Sequence, residues 1–489
     1  MEKYSVRLMR SEIVNIKNVN YGEIDYMNRG SINSSGKANK TDIVGVYGQN
    51  GSGKTALVES LDILSYILRG TPVPHDIYGG ILSGVSNSSI VTEFFIEKGN
   101  TKYKASYTVF LRRNEENKKI EIYKEKLVYW RRGYSWKGER DIEFENPDYG
   151  NDDLLDQRQI SVKSNHASNL KTIPFLWSMQ KLALIAAQNY ISAFFNMPVF
   201  NVCRDLVKDE EQIAFRDIII GLMQFGLVDL NVIKVNQLGK INSNQVIPIF
   251  VHRETENMIA QECINLFIAS TTEIDVNFYT QVESAIDAIN VAMRSIVPNL
   301  RIELEKIMEI ERPDGSKAIQ VEVFANRDGK RFLMKYESEG IKRIVSILNY
   351  LISVFNDPGV CLVVDELDSG IFEYLLGELL GLMHKEMKGQ LIFTSHNLRI
   401  LEKLDAKNIV CSTVNPDNRY IRLKGIEKNH NKRDFYIRSI TIGGQNEELY
   451  DEDDLIAMGY AFRKAGKMQS NRVELRFSEE IERKLSDEQ

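Results

Sequence analysis

Gly48-Gln49-Asn50-Gly51-Ser52-Gly53-Lys54-Thr55 stands between an apolar run, Ile43-Val44-Gly45-Val46-Tyr47, and a stretch with apolar residues at Leu57, Leu61, Leu64 and Ile67. The spacing of the second stretch predicts a helix opening at Lys54, and the first run predicts a short buried strand. A Gly-x-x-x-x-Gly-Lys-Thr turn in that setting is a phosphate loop. Its glycines let backbone amides turn toward an anion, and the helix N-terminus adds positive dipole. Lys54 then neutralises the β and γ phosphates, and Thr55 ligates magnesium. The segment therefore implies a nucleoside-triphosphate site lined by Asn50, Gly51, Ser52, Gly53, Lys54 and Thr55.

Working outward, Val360-Cys361-Leu362-Val363-Val364 reads as a second buried parallel strand, and Asp365-Glu366 follow it directly. In that position Asp365 serves the magnesium ion, and Glu366 orients and deprotonates a water aimed at the γ-phosphate. The next apolar run, Gln390 to Ser395, ends at His396, which is placed to touch the γ-phosphate. Upstream, Ser338-Glu339-Gly340 opens a helical stretch and forms a second candidate anion site at a helix N-terminus. Asn39-Lys40-Thr41-Asp42 spells a guanine-specificity motif, but it lies six residues before Gly48 with no helix between, so a GTPase is excluded.

The 489 residues suffice for two to four domains. Cys203, Cys263, Cys361 and Cys411 lie far apart without a Cys-x-x-Cys pair, which predicts free thiols in a reducing cytoplasm. The N-terminus carries Glu2, Lys3, Arg7 and Arg10 without an apolar core, and no apolar run reaches the length of a membrane span, so neither a signal peptide nor a membrane helix is expected. Net charge is −6, yet residues 102–140 hold twelve Lys/Arg against five Glu, and residues 447–454 hold six acids in eight positions.

The expected fold is α/β. Residues 1–150 form an N-terminal lobe with the phosphate loop and an antiparallel meander over Ile90 to Phe144. Residues 151–300 read as a largely helical insertion, with helical periodicity over Phe175–Phe195, Gln212–Phe225, Glu256–Ser270 and Val282–Ile296. Residues 301–415 form a C-terminal lobe with strands, the Ser338 helix, the Asp365-Glu366 strand and His396. Residues 416–489 remain as a tail suited to docking a partner.

The order and spacing of these motifs resemble the ATP-binding cassette (ABC) superfamily. In that resemblance Ser338-Glu339-Gly340 is a degenerate signature motif, His396 the switch histidine, and Asp368 part of the dimer-contacting loop. It implies ATP hydrolysis with Mg2+ in a head-to-tail dimer, where Ser338 and Gly340 of one copy complete the site of the other. The usual Ser-Gly-Gly-Gln signature is not matched, and neither a switch glutamine nor an adenine-stacking aromatic has a clear position. Ile442-Gly443-Gly444-Gln445 is closer by letters but lies beyond His396.

The 282 residues between Thr55 and Ser338 exceed a transporter's insert and carry no heptads of the kind found in chromosome-structuring members. The chain is more similar to ABC-type ATPases of bacterial phage defence related to the overcoming-lysogenization-defect (OLD) family, the group of Septu, PARIS and RloA-like systems. That similarity rests on the phosphate loop, Glu125-Lys126-Leu127-Val128-Tyr129, Ser338-Glu339-Gly340 and Asp365-Glu366-Leu367-Asp368-Ser369-Gly370. The 93 residues after His396 are too few for a TOPRIM nuclease domain. The resemblance therefore implies a homo-oligomeric ATPase acting as sensor or scaffold for a separate effector, a nuclease or toxin. Two alternatives stay open: an ATP-gated DNA-repair or DNA-maintenance clamp, and a slowly hydrolysing, nucleotide-locked scaffold. The basic meander, with Tyr103, Tyr107, Tyr129, Trp130, Tyr134 and Trp136 interleaved, is either a nucleic-acid surface or a sheet with one charged face and one aromatic core face. The basic segment around Arg419 and Arg422 is equally open.

Overall fold

Alternating apolar residues at the N-terminus form β1 (Tyr4–Ile16) and β2 (Val19–Asp25), and the six buried residues of β3 (Asp42–Tyr47) lead into α1 (Lys54–Leu68). The structure is a computed structural model that describes residues 4–27, 42–81, 88–132, 136–145, 161–163, 181–183, 185–205, 210–234, 246–254, 259–425, 431–450 and 455–468. The meander follows as β4 (Ser88–Lys98), β5 (Thr101–Asn114), β6 (Lys119–Arg132), β7 (Trp136–Glu145) and β8 (Ser161–Lys163). Next come α2 (Met197–Arg204), α3 (Glu210–Gln224), β9 (Leu230–Ile233), β10 (Val246–Glu254), β11 (Ile259–Phe267), β12 (Thr272–Asp275) and α4 (Val276–Ile296). The C-terminal lobe holds β13 (Leu300–Glu311), β14 (Lys317–Arg327), β15 (Lys330–Leu333), α5 (Glu339–Asn356), β16 (Cys361–Val364), α6 (Glu373–Glu386), β17 (Gln390–Thr394) and α7 (Leu398–Lys403). β18 (Ile409–Ser412), β19 (Tyr420–Ile421), α8 (Lys432–Thr441) and α9 (Leu455–Met468) complete the chain.

Among the described residues one sheet runs β19-β18-β3-β17-β16-β9, parallel except for the edge pair β18–β19. The phosphate-loop strand β3 and the acid-bearing strand β16 are therefore not neighbours. β17 lies between them, with Thr394 level with Val46 and Phe393 level with Val364. This order sets the tip of β17 between the phosphate loop and Asp365. A second sheet, β2-β1-β4-β5-β6-β7-β8, is antiparallel throughout.

Alternation along the parallel strands feeds two cores. Val44, Val46, Val363 and Ile392 join α1 and the antiparallel sheet, whereas Ile43, Leu362, Val364 and Leu391 join α4, α5 and α6. A strand covered on both faces must be apolar at every position, which is why these runs show no polar alternation in sequence.

Four of the meander's basic residues are matched across strands by acids: Lys104 with Glu93 at 2.9 Å, Lys102 with Glu97 at 3.1 Å, Arg112 with Glu121 at 2.8 Å and Lys124 with Glu143 at 3.1 Å. Tyr103, Tyr107 and Tyr129 are buried. The charged face is thus a ladder of cross-strand pairs and these aromatics belong to the core. Tyr134 and the side chain of Trp136 lie outside the described residues.

Two expectations are corrected. A helix expected over Glu256–Ser270 is β11, paired antiparallel with β10. Leu266 and Ile268 are buried while Cys263, Asn265 and Phe267 are exposed, a period of two rather than 3.6. β9, in the same expected helical insertion, is the outer strand of the parallel sheet, so residues 151–300 mix strands with the helices α2, α3 and α4. The expected helix Phe175–Phe195 lies partly outside the described residues.

The stretch expected as a free tail from residue 416 is integral at its start. Tyr436 packs edge-on against Tyr47 with ring centroids 6.1 Å apart, Leu449 is buried, and Val414 N donates to Glu448 O at 3.0 Å. The chain divides into two compact units, Met1–Leu449 and Tyr450–Gln489. In the second, α9 leaves Tyr460 and Phe462 exposed. Among the described residues no helix is long and apolar enough to cross a membrane.

Candidate functional site

The phosphate loop turns at Gly51 (φ 80°) and Gly53 (φ 87°), both in the left-handed region that favours glycine. Gly53 is required on a second count, since a Cβ there would lie 2.9 Å from Val19 and 3.0 Å from Arg419. Asn50 and Gly51 are exposed at the crest of the loop, and Thr55 is exposed in the first turn of α1. Lys54 is buried and folds back, donating to the carbonyls of Gly48 and Gln49 at 2.8 Å each. Desolvation lowers its pKa, against the raising charges of Asp365, Glu366 and Asp368.

The loop is braced by residues far away in sequence. Ser52 donates to Gln49 O at 2.7 Å and shares a hydrogen with Ser412 at the end of β18. Tyr420 of β19 donates to Gly53 O at 2.7 Å, and Asn18, in the turn between β1 and β2, donates to Gly51 O. Arg419 donates to Thr413 O at 2.7 Å, Val414 O at 3.1 Å and Asn18 O at 2.5 Å, tying both braces together. Arg422 likewise donates to backbone carbonyls, of Lys407 and Asp25. These arginines, open to a nucleic-acid reading in the sequence, spend their donors on the fold. None of these braces had a signal in the sequence beyond an unassigned polar residue.

At the ends of β16 and β17 the acids and the histidine meet. Asp365 is buried, and its Oδ1 accepts the Thr394 hydroxyl hydrogen at 2.6 Å while Oδ2 has no partner among the described residues. Thr394 in turn accepts Glu366 N–H at 2.8 Å. Glu366 has φ 50°, an uncommon conformation for a residue with a Cβ, of the kind found at functional turns. His396 N donates to Asp368 Oδ2 at 3.1 Å. Partial burial lowers the His396 pKa, with Lys54 adding to the shift and Asp368, Glu366 and Asp365 opposing it. Lys54, Asp365, Glu366 and His396 thus fall within one electrostatic neighbourhood.

The free buried Oδ2 of Asp365 and the exposed Thr55 hydroxyl are hard oxygen donors that fit Mg2+. Among the described residues no group of three His, Cys, Asp or Glu is placed to hold a metal ion. Glu447, in the acidic run, accepts from Asn415 at 3.0 Å and Asn418 at 2.7 Å; residues 451–454 lie outside the described residues.

Ser338 and Gly340 are placed elsewhere. Ser338 caps α5 by accepting Ile341 N–H at 3.4 Å and is exposed. A Cβ on Gly340 would lie 3.2 Å from Gly370 O, so this helix end packs against the turn after Asp365-Glu366. Among the described residues no hydrogen bond joins Ser338 to the phosphate loop.

Fold and site together define an α/β P-loop nucleotide-binding domain. Residues 43–402 match the family described as "AAA domain, putative AbiEii toxin, Type IV TA system", and the chain belongs to that family. No curated protein matches it. Among solved structures it is similar to an Smc head bound to the C-terminal winged-helix domain of ScpA, at 13% identity over 85% of this chain and 98% of that one, TM-score 0.36. It is also similar to the SMC head domain from Thermotoga maritima, at 12% identity over 86% of this chain and all of that one, TM-score 0.35. Likenesses this remote bear on neither activity nor partners.

Proposed function

We propose that the protein hydrolyses ATP with Mg2+ in a head-to-tail dimer, and that this cycle controls a separate effector, a nuclease or toxin, in bacterial anti-phage defence. The observation that carries the reading is the division of the site. Lys54, Asp365, Glu366 and His396 share one neighbourhood, while Ser338, exposed, and Gly340 stand at the N-terminus of α5, and among the described residues no hydrogen bond joins Ser338 to the phosphate loop. Asn50 to Lys54 cradle the phosphates. Thr55 and Asp365 hold Mg2+, which supplies neutralisation of the phosphate charge. Glu366 takes the proton of the attacking water, and His396 holds the γ-phosphate as a neutral donor. Ser338 and Gly340 of the second copy cover the same phosphate with backbone amides.

The family's description names a putative toxin of a type IV TA system, which supports a role within a toxin-bearing system. The unit Tyr450–Gln489, with Tyr460 and Phe462 exposed on α9, is the segment assigned to docking it. Cross-strand pairing of the meander's charges favours the effector reading over the DNA clamp. The test is turnover and mass in solution with and without ATP, followed by recovery of the chain from its host with bound proteins identified. Turnover by a strict monomer removes the dimer, and salt-sensitive, ATP-dependent DNA binding without a co-purifying protein favours the clamp.

A further inference from the structure

Arg343 lies in the second turn of α5, the helix that Ser338 caps. It is 1% exposed, among the most buried large side chains of the chain. Its Nε donates to Ser369 O at 3.2 Å, while Nη1 and Nη2 are buried with no partner among the described residues. Burial pushes the guanidinium down to about 10, and the charges opposing that shift are Asp368 first and Glu366 second. Asp368 carries the complementary defect. Its Oδ2 accepts His396 N–H, and its Oδ1 is buried without a partner.

Two opposite charges, each with orphaned buried atoms, thus flank Ser369. An unpaired buried guanidinium is costly, and an arrangement that pairs it lowers the energy of the site. The acids of the chain that act on this guanidinium are Asp368 and Glu366. Glu366 carries the strained backbone of the turn, whereas Asp368 has the free oxygen. The turn runs between two residues in the left-handed region, Glu366 (φ 50°) and Gly370 (φ 76°), and Gly340 permits α5 to lie against Gly370 O.

We propose that Arg343 is a positioning residue whose free Nη groups take Asp368 Oδ1 when nucleotide closes the site. This pair locks the Ser338 helix to the turn that carries Glu366. It rests on the reading in which Ser338 covers the partner's nucleotide, and it adds a direction of control. A nucleotide engaged by Ser338 acts through α5, Arg343 and Asp368 on Glu366, which serves the other nucleotide of the dimer. Each site then reports its occupancy to the other.

The test is a double-mutant cycle of Arg343→Met and Asp368→Asn in the full chain. Unfolding midpoints are taken without nucleotide and with Mg2+ and a non-hydrolysable ATP analogue, alongside ATP turnover. Without nucleotide the two shifts should depart from additivity only by the through-space attraction of the two charges, because no hydrogen bond yet joins them. With the analogue the departure should be clearly larger, and an equal departure in both conditions counts against the pair. Each single variant should lose roughly 10-fold to 100-fold in kcat with KM within about 3-fold, and the double variant should be no slower than the slower single. Arg343→Lys should recover part of the loss, and it replaces Arg343→Met in the cycle if the latter fails to fold. Additive shifts in both conditions, or full turnover in Arg343→Met, overturn the proposal. Failure of the underlying dimer looks different: the mass in solution stays that of a single copy with the analogue bound, or Ser338→Arg turns over normally.

Discussion

Thr394 Oγ1 stands between the two acids of the site, donating to Asp365 Oδ1 at 2.6 Å and accepting Glu366 N–H at 2.8 Å. One hydroxyl therefore fixes the carboxylate that fits Mg2+ and the backbone of the residue assigned as base. Thr394→Val keeps the shape and removes both bonds. Partners that orient a metal ligand are typically worth 10-fold to 100-fold, so the Mg2+ concentration for half-maximal turnover should rise about 10-fold or more. A magnesium titration of ATP turnover checks this, and an unchanged midpoint would separate Thr394 from the metal.

Lys54 occupies its loop by donating to the carbonyls of Gly48 and Gln49, which offer it no charge. Its buried amine is therefore held ready for an anion at a cost to the folded protein. Lys54→Ala should weaken ATP binding by about 100-fold or more, consistent with loss of a buried charge contact, while leaving the unfolding midpoint unchanged or higher. Titration calorimetry and thermal unfolding on one preparation measure both. A large fall in the midpoint would mean that Lys54 holds the fold instead.

The lowered His396 pKa has a definite sign. The folded protein favours the neutral ring, and the unfolded chain takes up a proton at the ordinary value of 6.5. Stability from this residue is complete above pH 6.5 and declines as pH falls through the lower folded value. Between pH 7.5 and 5 the wild type should lose more of its unfolding midpoint than His396→Gln does. His396→Ala should cost roughly 10-fold to 100-fold in kcat at pH 7.5, the scale of one donor to a developing phosphate charge. Equal pH slopes in the two proteins would count against the neutral ring.

Ser338 is exposed at the N-terminus of α5, and in the dimer reading it serves the other copy's nucleotide. Ser338→Arg should bind ATP normally and hydrolyse it at under about a tenth of the wild-type rate, because the added side chain fills the space for the partner's phosphate. Mixing it with Lys54→Ala leaves one intact composite site per heterodimer. Turnover should return to a fraction of wild type; none at all would mean that the site does not assemble across copies.

The parts legible in sequence are those whose chemistry forces local spacing. Gly48 to Thr55 must be contiguous to wrap a phosphate, and Asp365-Glu366 must follow an apolar strand to reach the sheet's edge. The stretch of β11 reads as a helix in sequence because Ile264, Phe267 and Ile268 also fit an i, i+3, i+4 pattern, and pairing with β10 is decided by tertiary contacts. Tyr103 and Tyr107 stand open in sequence between base stacking and the core face of a sheet. Their hydroxyls meet Asp217, 114 residues on, and Glu125, in the buried interior. Ser412 and Tyr420 reach the phosphate loop across 360 and 367 residues, a distance no local pattern encodes.

Arg419 separates the nucleic-acid reading of the basic C-terminal segment from a bracing role. Its guanidinium donates to three backbone carbonyls, its stem touches Gly53, and it is buried. Removing it leaves buried acceptors unpaired and the phosphate loop unsupported, so Arg419→Ala should cost about 2–4 kcal/mol in stability and weaken ATP binding. The informative variant is Arg419→Lys. A lysine preserves the charge a phosphate backbone would need but cannot reproduce the fork that spans Thr413, Val414 and Asn18. If Arg419 braces the loop, Lys should behave like Ala in unfolding and in ATP affinity. If it meets nucleic acid, Lys should behave like wild type in a DNA-binding titration, and the loss in ATP affinity should be absent.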